Sequence, residues 1–206
     1  MTVVSDSRRV ALLSAVVAGV CTTFACGNIS ASAQENVVVT LGDSNTSGRG
    51  VAPEQAFPAR MENILRTRDQ SALVINAGVA GDTFGAMLGR LDLAVPEGTK
   101  MVIVQGGYND LADGVPPAQT VANLNEILAR LHARHIKTVL CGFFYPKWDA
   151  IGRRLAASNH ATFVSGSTCY APQRRGPDQL HMSEAGHEVV AGRLARVVRH
   201  LDQHVR

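Results

Sequence analysis

Charge is scarce in this chain. Lys, Arg, Asp and Glu make up 18% of its 206 residues, and the formal net charge is +3. Proteins that bind nucleic acid carry basic residues along one face or stripe, often interleaved with aromatics. No such stripe is present and aromatics are only 5% of the chain, so no nucleic-acid partner is expected. There is no internal repeat of solenoid or propeller length and no low-complexity tract. Metal-ligand clusters are also missing. His132 and His135, and His200 and His204, are spaced to share helix faces, but neither pair has further ligands nearby. They fit solvated positions near helix C-termini, where positive charge suits the dipole, and neither a metal site nor a cofactor-binding residue is expected. What the chain does have is 46% hydrophobic residues, enough for one domain with a sizeable core.

One apolar run stands apart near the N-terminus. Ser7-Arg8-Arg9 precedes VALLSAVVAGVCTTFA, and Ala31-Ser32-Ala33 follows as a small-residue exit. A positive start, an apolar middle and an A-x-A exit are the parts of a secretory signal peptide. The expectation is a signal over residues 1–33 and a domain over 34–206, exported to the periplasm or secreted, with no stable membrane anchor after cleavage. An uncleaved anchor helix is the alternative, but the run is short of the roughly 20 residues a span needs. Arg8-Arg9 also gives a weak twin-arginine signal, so the export route stays open. Thr23-Phe24-Ala25 before Cys26 does not resemble a lipobox. Cys21 and Cys26 would leave with the signal. Cys141 and Cys169 remain, as a disulfide in an oxidising compartment or as two buried thiols.

In the rest of the chain, apolar runs alternate with amphipathic segments. Residues 37–41, 72–76, 101–105 and 138–144 read as strands, and 161–164 as a weaker fifth. They are nearly continuous in Val, Ile and Leu, as strands covered on both faces are. Helical periodicity covers about 56–68, 83–93, 148–158, a stretch from 117 and another from 183. Alternation of this kind predicts a three-layer α/β/α sandwich on a mostly parallel five-stranded sheet. Ligands of such sheets bind at the carboxyl ends of the strands, which singles out the loops GDSNTSG, NAGVAGDT, GGYND, GFFYPKW and GSTCYAPQRRGPDQLH.

Each loop has a plain structural reading and a chemical one. Ser44 is either a turn residue or a nucleophile, and a nucleophile needs a base, an orienting group and oxyanion donors. His181 is the best base, and Asp178, three residues earlier, could fix its tautomer, in the chain order Ser, Asp, His. Read alone, Asp178 is a turn residue after Pro177, and His181 a surface histidine. Asn109 could donate from its amide, although Asn in such a place is also an ordinary turn former. Gly81 could donate its N–H at a helix start, with the N–H of Ser44 as a third donor. Gly48 reads as slack behind the serine loop, and Asp43 as a brace for that loop outside the chemistry. The pattern G-x-S-x-G of the α/β-hydrolase elbow is absent, because Thr46 holds its last position.

Taken together, Gly42-Asp43-Ser44 with Gly48, Gly81, Gly107-Tyr108-Asn109-Asp110 and Asp178-Gln179-Leu180-His181 resemble the SGNH (GDSL-type) hydrolase family. Asn76, Gly81-Asp82-Thr83 and Asn123-Leu124 resemble its small periplasmic arylesterase, thioesterase and lysophospholipase branch. The resemblance spans nearly all of residues 34–206, in order. It implies a flavodoxin-like fold and a serine ester hydrolase with no metal or organic cofactor. Ser44 is then the nucleophile, His181 the base and Asp178 its orienting group, and the oxyanion hole is Ser44, Gly81 and Asn109. Asn45 departs from the Leu of the family name. Tyr108 is bulkier than usual and would narrow the site or stack on a substrate group. The compact segment 141–177 suggests an open, shallow site for small acyl or aryl esters. Two other readings stay open: a polysaccharide deacetylase or O-acyltransferase using the same residues, and a non-catalytic exported binding module. The oligomeric state is not readable.

Overall fold

Strand β1 (Asn36–Gly42) enters the middle of a parallel sheet because its side chains are apolar on both faces. In this computed structural model the described residues are 36–142 and 146–203. The expected signal segment, the end of the fourth expected strand at Phe143 and Phe144, and His204 lie outside them. The other strands are β2 (Ala72–Gly78), β3 (Met101–Gln105), β4 (Lys137–Cys141) and β5 (Thr162–Val164). All pairings are parallel, in the order β2-β1-β3-β4-β5. The weak fifth run is therefore an edge strand, three residues long and only partly buried.

Alternate residues of each central strand feed opposite layers. Val38, Val74, Met101, Ile103 and Val139 pack under α2 (residues Phe57–Arg66) and the C-terminal helix Glu184–Gln203. Val39, Leu41, Val102, Val104 and Leu140 pack under helices Phe84–Gly89, Pro117–Ala133 and Pro146–Ser158. In chain order the helices are α1 (Ser44–Ser47), α2, α3 (Phe84–Gly89), α4 (Leu91–Ala94), α5 (Tyr108–Ala112), α6 (Pro117–Ala133), α7 (Pro146–Ser158), α8 (Gly166–Cys169) and α9 (Glu184–Gln203), with a 3-10 turn at Pro53–Gln55. Leu124, Ile127, Leu128 and Leu131 of α6 are buried at the helical spacing read from the sequence. Each such side chain contributes about 1.5–3 kcal/mol by leaving water.

Two local features differ from expectation. The single helix expected over 83–93 is two, α3 and α4, broken at Arg90 (φ −114°, ψ 10°). Arg90 turns its side chain back to the sheet, where its Nη2 donates to the carbonyls of Gly42 and Ala77 at 3.2 and 2.9 Å. Gly48 is not slack. It ends α1 in the left-handed region at φ +84°, and its N–H returns to the carbonyl of Ser44. Cys141 and Cys169 are joined in a disulfide that ties the end of β4 to α8, which settles the choice between bridge and free thiols.

The strand order reverses between β1 and β3, so their carboxyl ends flank a crevice. Ser44 follows β1 and Asn109 follows β3.

Candidate active site

The serine stands at the first position of a helix that its own residues favour poorly. Ser, Asn and Thr are weak helix formers because their side chains compete for backbone groups. What starts α1 is Asp43, whose carboxylate accepts the N–H of Asn45 at 2.9 Å. Gly42 is required by close approach: a Cβ there would lie 2.1 Å from Thr46 Oγ1 and 2.7 Å from the carbonyl of Gln105. Thr46 Oγ1 donates to Gln105 Oε1 at 2.5 Å, and Gln105 Nε2 donates to the carbonyl of Cys169 at 2.6 Å. A buried chain of amide and hydroxyl groups thus anchors α1 to the ends of β3 and α8.

The histidine comes from the loop between α8 and α9. Arg175 and Met182 form an antiparallel bridge, and Gly176 N–H donates to the His181 carbonyl at 2.8 Å. Asp178 Oδ1 accepts from the N–H groups of Leu180 and His181 at 3.0 and 2.9 Å, an Asx turn. Asp178 Oδ2 lies 2.5 Å from His181 Nδ1, and His181 Nε2 lies 2.9 Å from Ser44 Oγ. Ser44 and His181 are buried, while the Asp178 side chain is half exposed. The hydrogen bond from His181, with help from the two backbone donors, holds the Asp178 carboxyl well below the usual range. It stays ionised wherever an imidazole could act as a base. Met182, next to His181, donates its N–H to Asn45 Oδ1, next to Ser44, at 3.2 Å.

The remaining groups lie on the β2–α3 connection and in the first turn of α5, just after β3. Gly81 adopts φ +88°, a left-handed conformation that a side chain would strain. Among the described residues, the N–H groups of Gly81 and Ser44 have no protein acceptor. Asn109 Nδ2 donates one hydrogen to the carbonyl of Asp82, next to Gly81, at 2.8 Å, so its amide sits against the Gly81 turn. Asp82 is paired with Arg90 at 2.7 Å. Asp110 accepts the N–H of Phe84 at 3.0 Å and ties α5 to the start of α3. Burial pushes its carboxyl up.

Asp43 braces the loop as the sequence suggested, and it also borders a cavity of about 590 Å³. Burial raises its carboxyl to about 6, against the opposing hydrogen bond from Asn45 N–H. Asp43, Asn45 and Asp178 share this wall beside the serine. Tyr108, Leu111 and Leu180 form an exposed apolar rim, and Trp148 and Tyr170 lie further in.

Sequence reasoning missed Arg90, Gln105 and the use of Asn45. Gln105 had a readable signal, a polar residue ending the apolar run MVIVQ. Asn45 had none, since its partner is 137 residues away, and nothing local to Arg90 marks the sheet carbonyls of Gly42 and Ala77 that it reaches. His132 stacks on His160 at 4.5 Å, and among the described residues no three metal-ligating side chains cluster.

The arylesterase of Vibrio mimicus is 32% identical over 107 residues, covering 52% of this chain and 53% of that protein. The esterase TesA of Pseudomonas aeruginosa is 32% identical over 119 residues, covering 57% and 59%. The chain thus spans between half and three fifths of the length of these two relatives. Among solved structures, the SGNH-hydrolase family esterase AlinE4 superposes with a TM-score of 0.63 at 29% identity, over 82% of this chain and 98% of that one. Residues 40–189 match the model of the GDSL-like Lipase/Acylhydrolase family, and the chain belongs to that family.

Proposed function

We propose that the protein is a serine ester hydrolase that cleaves acyl or aryl esters through an acyl-enzyme on Ser44. The observation that carries this reading is the line of contacts Asp178 Oδ2, His181 Nδ1, His181 Nε2 and Ser44 Oγ, at 2.5 and 2.9 Å. Ser44 Oγ attacks the ester carbonyl carbon as its proton passes to His181 Nε2. Asp178 keeps Nδ1 protonated, so Nε2 is free to accept. The carbonyl oxygen becomes an oxyanion, met by the N–H groups of Ser44 and Gly81 and the second amide hydrogen of Asn109. When the C–O bond to the leaving group breaks, the imidazolium returns the proton to the departing oxygen. Water then attacks the acyl-enzyme, its proton goes to Nε2, and that proton returns to Ser44 Oγ as the acid leaves. The apolar rim suits a small acyl or aryl group.

The same reading includes export. Residues 1–33 have the composition of a signal peptide, and the Cys141–Cys169 disulfide suits an oxidising compartment. The mass of the protein recovered from the periplasm or medium tests this: a chain beginning at Gln34 is expected, and a full-length chain in the cytoplasm contradicts it.

Labelling with a fluorophosphonate probe tests the chemistry. Wild type should label and hydrolyse a p-nitrophenyl ester, and Ser44→Ala should do neither. Folded wild type that neither labels nor turns over would instead identify a binding module.

A further inference from the structure

Two hydrogen bonds cross between α1 and the histidine loop among the described residues, and they join adjacent pairs: Ser44 to His181, and Asn45 to Met182. Within the loop, the Asx turn at Asp178, the Gly176 to His181 bond and the Ser183 to Arg174 bond make a hairpin that holds its own shape. The Met182 side chain is buried in the core with Val190 and Ala191 and anchors one end of the hairpin, while the backbone between His181 and Met182 takes its acceptor from outside the loop. At its mouth stands Asn45, whose own N–H is fixed by Asp43.

The two crossing bonds do not have the same lifetime. The Ser44 to His181 bond exists only while Oγ carries its proton or can accept one. Once Oγ is acylated, His181 Nε2 loses that partner, and it must then hold a water molecule for the second half of the reaction. The Asn45 to Met182 bond involves no reacting atom and persists through both halves. We propose that Asn45 is a positioning residue that keeps His181 in register during deacylation. The proposal rests on the acyl-enzyme reading above. A leucine at this place, as in the usual GDSL motif, has no acceptor, so this chain carries a clamp that the motif does not specify.

The test is the variant Asn45→Leu, with Asn45→Ala as a second form should the first fail to fold. Both are measured against Asn45→Asp, which keeps an acceptor oxygen. The readouts are fluorophosphonate labelling rate, steady-state kcat and KM on p-nitrophenyl butyrate, and the pre-steady-state burst of p-nitrophenol. Labelling needs the resting Ser44 to His181 bond and reports the first half-reaction. Steady-state kcat includes the second. In Asn45→Leu, kcat should fall by about tenfold or more, the scale of a displaced catalytic group. Labelling should fall much less, a burst should accumulate, and Asn45→Asp should recover most of the loss. Wild-type kcat in Asn45→Leu overturns the proposal. So does an equal fall in labelling and kcat without a burst, or a change confined to KM, which would make Asn45 a substrate contact. Labelling that survives in Ser44→Ala sinks the underlying chemistry instead.

Discussion

Asn109 hands one amide hydrogen to the carbonyl of Asp82 at 2.8 Å, which fixes where the other can point. On the proposed chemistry that second hydrogen meets the oxyanion. Asn109→Ala should therefore lower kcat by ~10²–10³ with little change in KM, the usual size for one lost oxyanion donor. Steady-state kinetics on a p-nitrophenyl ester check this. An effect on KM alone would move Asn109 out of the oxyanion hole.

Asp178 is half exposed, yet it accepts from His181 Nδ1 and two backbone N–H groups. Asp178→Asn breaks the tautomer control and should lower kcat by ~10²–10⁴, less than His181→Ala does. Its lowered carboxyl pKa means that it remains ionised through the acid limb. A pH profile of kcat/KM from pH 4.5 to 9 should show no inflection that Asp178→Asn removes.

Asp43 makes an opposite kind of prediction. Its carboxyl is raised from 3.8 to about 6 by burial. Between those values the folded state holds a proton that the unfolded state has released, so stability falls as pH rises through the window and levels off above it. Asn at this position keeps an acceptor for the N–H of Asn45 without a buried charge. Asp43→Asn should therefore be more stable than wild type at pH 7.5, by ~2–3 kcal/mol, and the gain should vanish by pH 4. Urea melts at both pH values measure the difference, and a gain that does not depend on pH would rule out the buried charge as its cause.

The Cys141–Cys169 disulfide closes a sequence separation of 28 residues. Replacing both cysteines with Ala should cost ~2–4 kcal/mol. The loss should also reach the site, because Gln105 takes its fixed acceptor from Cys169 and passes the constraint to Thr46. Thermal melts and kcat on the double variant check both parts. Both cysteines are buried, so mild reductant should leave the folded wild type unchanged.

Much of this was legible in the sequence for identifiable reasons. The central strands are covered on both faces, so they appear as continuous apolar runs, and β3 coincides with the run expected at 101–105. The four motif blocks were legible because each sits just after a strand or just before a helix. The helix α1 was not, because Ser44-Asn45-Thr46-Ser47 has low helix propensity and exists through its cap and its glycine stop. Nor was the break at Arg90. The apolar periodicity on either side is helical, and the carbonyls that draw Arg90 back to the sheet belong to residues 48 and 13 positions away. The Asn45 contact spans 137 residues, and no local pattern encodes a contact of that range.

Arg90 holds the carboxylate of Asp82 and the carbonyls of Gly42 and Ala77 at once, which leaves the Gly81 turn one place to sit. In water, creating an anion requires solvent dipoles to rotate toward it, and that rotation is most of the barrier to charge formation. Donors already held in place need no such rotation. On the proposed chemistry, the reorganisation takes place once, when the chain folds and Arg90 finds its three partners, so each catalytic cycle would begin with the dipoles already turned.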